Sequence, residues 1–210
     1  HKLVQATRKT VVVDVGANVG LTVLEIAKRV NQGRVVGFEP SRSNYARLTE
    51  HLRLNGCANV TTVNMGVGPK RDTVKLYDIV ASNPGMKRIL SEGAAEGAPS
   101  EVIEIDRLDT QLSVADVQRV NAMKIDVEGF ELHVLQSCES VLKRDRPLLF
   151  IELDDRNLRG QSQSASELVM YLVGLGYAVT NAASGQVITG HSNLADCHID
   201  ILCEHAGNPG

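Results

Sequence analysis

From residue 11 onward, short apolar runs alternate with stretches whose apolar positions recur every three or four residues, and no repeat develops. Val11 to Val15 is dominated by β-branched residues and ends at a glycine-bearing turn, as a strand buried on both faces does. Leu21, Leu24, Ile26, Ala27 and Val30 then fall at near-helical spacing, with Gly33 placed to stop the helix. Arg34 to Glu39 reads as a second strand, and Ser41 as the N-cap of a helix through Tyr45, Leu48 and Leu52 to about Asn55 and Gly56. Val60 to Val63, Thr73 to Tyr77 and Val102 to Ile105 read as strands, the last two around an irregular Gly/Ser/Pro-rich loop at Ala81 to Ser100. Further on come a strand at Ala122 to Val127, a helix at Glu131 to Leu142 and a strand at Leu148 to Leu153. A helix at Ser164 to Gly174 and strands at Tyr177 to Thr180 and His198 to Cys203 complete the pattern.

Alternating strands and helices predict an α/β fold: a doubly wound, mainly parallel sheet with helices on both faces. In such sheets ligands sit beyond the carboxyl ends of the strands. The 210 residues suit one domain, 1–210, with 1–10 as a lead-in. A formal charge of −3 and an aromatic content of 3%, with no Trp, give no basis for gripping a phosphate backbone or stacking bases, so no nucleic-acid partner is expected. Four cysteines without a C-x-x-C pair suit a reducing compartment, and no stretch approaches the ~20 apolar residues of a membrane span. A cytoplasmic protein is therefore expected, although the chain begins at His1 rather than Met and an upstream anchor stays open.

The segment VVVDVGANVG places Asp14 near the end of the first strand and Gly16, Asn18 and Gly20 in the turn that follows. Glycines there allow a sharp turn and a close approach of backbone N–H groups to a ligand, and a helix N-terminus follows. A plain strand–turn–helix also favours glycine, but Glu39 at the end of the next strand adds a group able to accept hydrogen bonds from both ribose hydroxyls. Together they point to a nucleoside cofactor. Neither G-x-G-x-x-G nor a G-x-x-x-x-G-K-[ST] loop is present, and Asp14 would repel a pyrophosphate while suiting an ammonium group. S-adenosyl-L-methionine combines a ribose and an amino-acid end with the absence of phosphate.

The strings VVDVGANVGLTVLEIAK, VVGFEPSRSNYARLTEHLRLNG and above all MKIDVEGFELHVLQS resemble the FkbM family of S-adenosylmethionine-dependent methyltransferases, over about residues 10 to 155. The KIDVEG block at Lys124 to Gly129 is the most specific part. The resemblance implies a seven-stranded Rossmann-like sheet with a reversed last hairpin and methyl transfer to a hydroxyl of a sugar or small natural product, so a small-molecule or glycan acceptor is the expected partner. It also implies that Asp14, Gly16, Ala17, Asn18 and Gly20 form the cofactor turn, that Glu39 and Pro40 flank the ribose, and that Asn64, Met65 and Gly66 lie near the adenine.

Asp126 and Glu128 lie two apart at one strand end, and Glu152 and Asp154 repeat this at the next, so four carboxylates are expected to converge. Three readings stay open. Asp126 lies between cofactor and acceptor while Glu128 or Glu152 is general base; or Asp126, Glu128 and Glu152 hold Mg²⁺ or Ca²⁺; or the glutamates cap a helix or pair with Lys124, Arg144 or Arg156. His191, Cys197, His198, Cys203 and His205 crowd the C-terminal end without zinc-finger spacing, and His133 reads as a helix-surface residue. Competing functions are a nicotinamide-dependent oxidoreductase, disfavoured by the missing dinucleotide fingerprint, and a catalytically silent binding domain, disfavoured by retention of the turn, Glu39 and the acidic motif.

Overall fold

The structure is a computed structural model and describes Thr7 and residues 9–78, 87–89 and 100–207. In chain order the first elements are β1 (Val11–Val15), α1 (Leu21–Arg29), β2 (Arg34–Phe38), α2 (Arg42–Leu54), β3 (Val60–Val63), β4 (Gly66–Val67), β5 (Asp72–Asp78), β6 (Lys87–Ile89), β7 (Ser100–Asp106) and α3 (Leu108–Val114). There follow β8 (Ala122–Ile125), α4 (Glu131–Ser137), α5 (Glu139–Asp145), β9 (Leu148–Asp154), α6 (Asp155–Arg159), α7 (Ala165–Gly174), β10 (Tyr177–Asn181), β11 (Val187–Ile188) and β12 (His198–His205).

The main sheet has the order β11-β10-β12-β9-β8-β1-β2-β3. The run β9-β8-β1-β2-β3 is parallel, and β12 pairs antiparallel with both β9 and β10. β1 is central because its valines suit a strand covered on both sides: Val13 and Val15 face the core formed with α3, α4, α5 and α7, while Val12 faces the core formed with α1 and α2. Each helix turns its apolar stripe inward, as Val23, Leu24 and Ala27 do on α1. Ser164 caps α7 by accepting the N–H of Glu167, and Asp154 caps α6 by accepting those of Arg156 and Asn157. Among the described residues no helix is long and apolar enough to cross a membrane.

The doubly wound sheet and reversed C-terminal hairpin agree with the sequence reading, and three details differ. An eighth strand, β11, lengthens the edge; two residues are too few to leave a period. The stretches at 73–77 and 102–105 leave the main sheet altogether and build a second one, β4-β7-β5-β6, whose pairing joins residues far apart in the chain. The helix expected over 131–142 is two helices that break at Cys138, with φ −129° and ψ 25°. Of the loop expected at 81–100, β6 and Ser100 are described; the rest lies outside the described residues, as do 1–6 and 8 of the lead-in.

On the second face, α1 and α2 cover β1, β2 and β3. Over β9 and β12 the same face carries Glu152, Asp154, His198 and Asp200, alternating with buried Ile151, Leu153 and Ile201. A polar, open patch of sheet therefore borders the strand ends where a ligand would sit.

Candidate active site

The turn after β1 requires its glycines. Gly16 and Gly20 have φ +86° and +91°, and Asn18, a residue that tolerates the left-handed region, has φ +50°. A Cβ on Gly16 would lie 1.8 Å from the carbonyl oxygen of Asp126, so the turn packs directly on the end of β8. The N–H groups of Gly16 and Ala17 both reach the Phe38 carbonyl at 3.1 and 2.9 Å, which ties the turn to β2 on its other side.

Glu39 fastens this arrangement. Its Oε2 accepts the Asn18 N–H at 2.8 Å and its Oε1 the Ser41 N–H at 2.9 Å. The Asn44 side chain adds a third hydrogen bond, which leaves one of the about four lone-pair positions of a carboxylate open. Burial pushes the carboxyl up to about 7 against the pull of those two N–H groups. Ser41 begins α2 as expected, but its hydroxyl meets Ser43 at 3.1 Å instead of capping the helix.

A cavity of about 250 Å³ runs along this edge. Among the residues expected at a cofactor, Gly16, Ala17, Asn18, Glu39, Pro40, Met65, Gly66 and Asp126 line it. Asp14, Gly20 and Asn64 are not in its wall. Asn64 donates from Nδ2 to the carbonyls of Glu39 and Pro40 at 2.8 and 3.0 Å and so locks the two strand ends together. Asp14 is fully buried, and neither of its oxygens has a hydrogen-bond partner; Lys124 Nζ stands 3.7 Å from Oδ1. Burial pushes Asp14 up to about 6, Lys124 pulling back and Asp126 adding to the rise. Lys124 also donates to Asp126 Oδ2 at 2.9 Å; burial opposes its charge, yet Asp14 and Asp126 hold it above the usual lysine range.

Lys124, Leu21, Lys87 and Ile89 also line the cavity, and none of them is among the site residues that the sequence suggests. A signal for Lys124 exists, since it alternates with Asp126 on one strand face, whereas Lys87 and Ile89 arrive from the second sheet and leave no local trace.

Asp126, Glu128 and Glu152 come together, with carboxylate oxygens all within 4.8 Å of one another. Strand alternation is not the cause for the first pair: β8 ends at Ile125, and a tight turn with Glu128 at φ +57° and Gly129 at φ +104° brings Glu128 round. Asp154 does not join them, because its carboxylate caps α6. Each of the three has its own cationic or imidazole partner. Asp126 has Lys124; Glu128 Oε2 accepts from Arg88 Nη2 at 2.9 Å and Asn157 Nδ2 at 3.1 Å; Glu152 Oε1 meets His198 Nε2 at 3.2 Å. One oxygen of each is thus engaged within the chain, and the three lie close enough together to hold a cation. The pairing expected with Lys124, Arg144 or Arg156 does not form: Glu128 pairs with Arg88 and Glu152 with His198, partners whose separation along the chain hides them from the sequence.

Glu131, absent from the expected site, turns back under the same turn and accepts the N–H groups of Val127 and Gly129 at 3.1 and 3.0 Å. Burial pushes it up to about 7. Glu152 rises to about 7 as well, through burial first and then the negative charges of Asp126 and Glu128.

These raised acids set a pH dependence of stability. A carboxyl that holds its proton more tightly folded than unfolded stabilises the fold fully below its unfolded value and loses that contribution as pH rises through the folded one. For Asp14, Glu39, Glu131 and Glu152 that window runs from 3.8–4.5 up to about 6–7. Asp109 and Asp145, which Arg107 and Arg144 hold below the ordinary range against the effect of burial, act oppositely but only at lower pH. The ligand-free protein is therefore expected to melt about 5 °C higher near pH 5 than near pH 8. Calorimetry across this range checks it, and a flat or rising profile contradicts it.

Known proteins share the sequence pattern and the fold. The Methyltransferase FkbM domain matches residues 14–179. "Methyltransferase 1" of Beauveria bassiana is 25% identical over 145 residues, covering 61% of this chain and 58% of that protein. "Hexuronic acid methyltransferase AglP" of Haloferax volcanii is 28% identical over 142 residues, covering 67% of this chain and 55% of that protein. These matches thus span somewhat over half the length of either relative. The crystal structure of a methyltransferase FkbM from Methylobacillus flagellatus KT superposes with a TM-score of 0.61 at 17% identity, covering 96% of this chain and 45% of that one, which shows the shared fold.

Proposed function

The chain belongs to the FkbM methyltransferase domain family, and from that premise we propose that it methylates a hydroxyl of a sugar or small natural product, using S-adenosyl-L-methionine. One observation carries the reading. A single cavity has Glu39 on one side of the β1 turn and Asp126 and Glu128 on the other, because β2 and β8 flank β1 in the sheet. The open polar face of β9 and β12 borders the latter side.

The residues fit the cofactor. Glu39 has acceptor capacity left for a ribose diol, the turn at Gly16 to Asn18 brings backbone to the cavity wall, and Pro40, Met65 and Val67 supply apolar wall for a base. Asp14 acts one layer down, fixing Lys124 rather than touching the ligand. Bound S-adenosyl-L-methionine supplies an electrophilic methyl on a sulfonium. This chain's own residues then have to align the acceptor oxygen, exclude water and remove a proton.

Glu152 is the best proton acceptor of the cluster. Asp126 and Glu128 are each bonded to Lys124 or Arg88, cations whose charge persists at neutral pH and which occupy their lone pairs. Glu152 has only an imidazole partner, and its carboxyl at about 7 lies near the operating range of a general base. Asp126, in the cavity wall, orients the acceptor beside it.

Two experiments bear on this. Glu39→Gln removes a charged acceptor from a ribose diol and is expected to weaken S-adenosylhomocysteine binding about 10- to 100-fold by calorimetry, with no thermal stabilisation by NAD in either protein. Unchanged affinity refutes the ribose role. The acceptor is sought with methyl-labelled S-adenosyl-L-methionine against neutral glycans, uronic-acid glycans and hydroxylated small molecules. Label held in an alkali-stable ether supports the hydroxyl reading; label released by mild alkali as an ester places the methyl on a carboxylate and overturns it.

A further inference from the structure

We propose that His198, on β12, is a positioning residue that orients Glu152 and passes its proton from the acidic cluster to solvent; this rests on Glu152 being the base. The antiparallel pairing of β12 with β9 sets His198 opposite Asp154 and Asp200 opposite Glu152, all on the open face of the sheet. The imidazole spans the two acids of β9, with Nε2 3.2 Å from Glu152 Oε1 and Nδ1 3.5 Å from Asp154 Oδ2. A ring held between two carboxylates has a fixed plane, and it fixes the carboxylate it contacts. The Glu152 side chain is 22% exposed and that of His198 65% exposed, so the pair steps from the cluster to water.

The surroundings single out this pair. From the turn after β8, Asp126 faces Glu152 and is paired with Lys124, and Glu128 faces it and is paired with Arg88. From α4, the buried Glu131 adds like charge beneath it. Asp154 is engaged with α6, and Asp200 is exposed beside His198 on β12. Among the described partners of the three carboxylates His198 is thus the one imidazole, and it draws Glu152 downward against burial and the neighbouring acids. When Glu152 takes the acceptor proton, a neutral ring protonated at Nδ1 accepts it through the Nε2 lone pair and releases the Nδ1 proton to water; no other reactant enters, and the base is restored.

The test is a carboxyl ¹³C NMR titration of Glu152 in the protein saturated with S-adenosylhomocysteine, with the resonance assigned by its loss in Glu152→Gln. In His198→Gln, which keeps a donor but not an imidazole, the Glu152 midpoint is expected to rise by about 1 pH unit. In His198→Lys, which fixes a positive charge at the same place, it is expected to fall. A midpoint that stays put in both variants overturns the proposal while leaving the base assignment to the turnover of Glu152→Gln. Full turnover in Glu152→Gln sinks the base assignment whatever the titration gives.

Discussion

Glu152→Gln is expected to lower kcat by about 10²- to 10⁴-fold, with the affinity for S-adenosylhomocysteine within about twofold of the parent. An unactivated alcohol must lose its proton during or after attack on the methyl carbon, and Gln cannot accept it. Glu152 lies outside the cavity wall, so the cofactor contacts stay intact, and the amide preserves the shape of the side chain and a contact to His198. The two readouts separate chemistry from architecture. A loss of cofactor affinity together with turnover would mean that the cluster is structural, and unchanged turnover would remove Glu152 from the chemistry. Glu128→Gln is expected to cost much less, because Glu128 already bridges Arg88 and Asn157 and holds the turn.

Gly16→Ala is expected to destabilise the fold by about 3–5 kcal/mol and to abolish measurable S-adenosylhomocysteine binding. Two effects add. The backbone at φ +86° is strained for any residue with a Cβ, at about 1–2 kcal/mol. The new methyl would also lie 1.8 Å from the Asp126 carbonyl oxygen and 3.2 Å from Val127 Cγ1. The first contact is with backbone, so relief requires the end of β8 to move away from β1, which opens the junction between the cofactor turn and the acidic cluster. Gly56→Ala separates the two effects: at φ +65° a methyl on Gly56 would meet nothing within 4 Å, and the substitution should cost only about 1–2 kcal/mol by denaturant unfolding. Equal losses at both positions would show that the close approach at Gly16 contributes nothing.

Much of the site is legible in the chain alone. Gly16, Asn18 and Glu39 are identifiable because a turn that needs positive φ and an acid at a strand end are local requirements, written within a few residues of each other. The family strings extend that reading to Asp126, and the place just past the third strand extends it to Met65 and Gly66. Asp154 departs from expectation for an equally local reason: strand alternation puts it with Glu152, but a helix begins at the next residue and takes its carboxylate as a cap.

Arg88 on Glu128 and His198 on Glu152 illustrate the other limit. The partners lie 40 and 46 residues apart, and no period or motif links them. Which carboxylate keeps a permanent cation and which faces an imidazole depends on the register between β12 and β9 and on where β6 of the second sheet comes to rest.

By itself, then, the sequence determined the α/β wind, the order of most of its elements, the glycine turn after β1 and the acid that follows β2, because hydrophobic period and turn chemistry act over a few residues. The tertiary structure alone decided that strands near 75 and 103 form a second sheet, that Asp14 supports Lys124 from beneath the cavity, and that Glu152 differs from Asp126 and Glu128. Those outcomes follow from strand register and burial, which arise from contacts between segments whose separation along the chain carries no local signal.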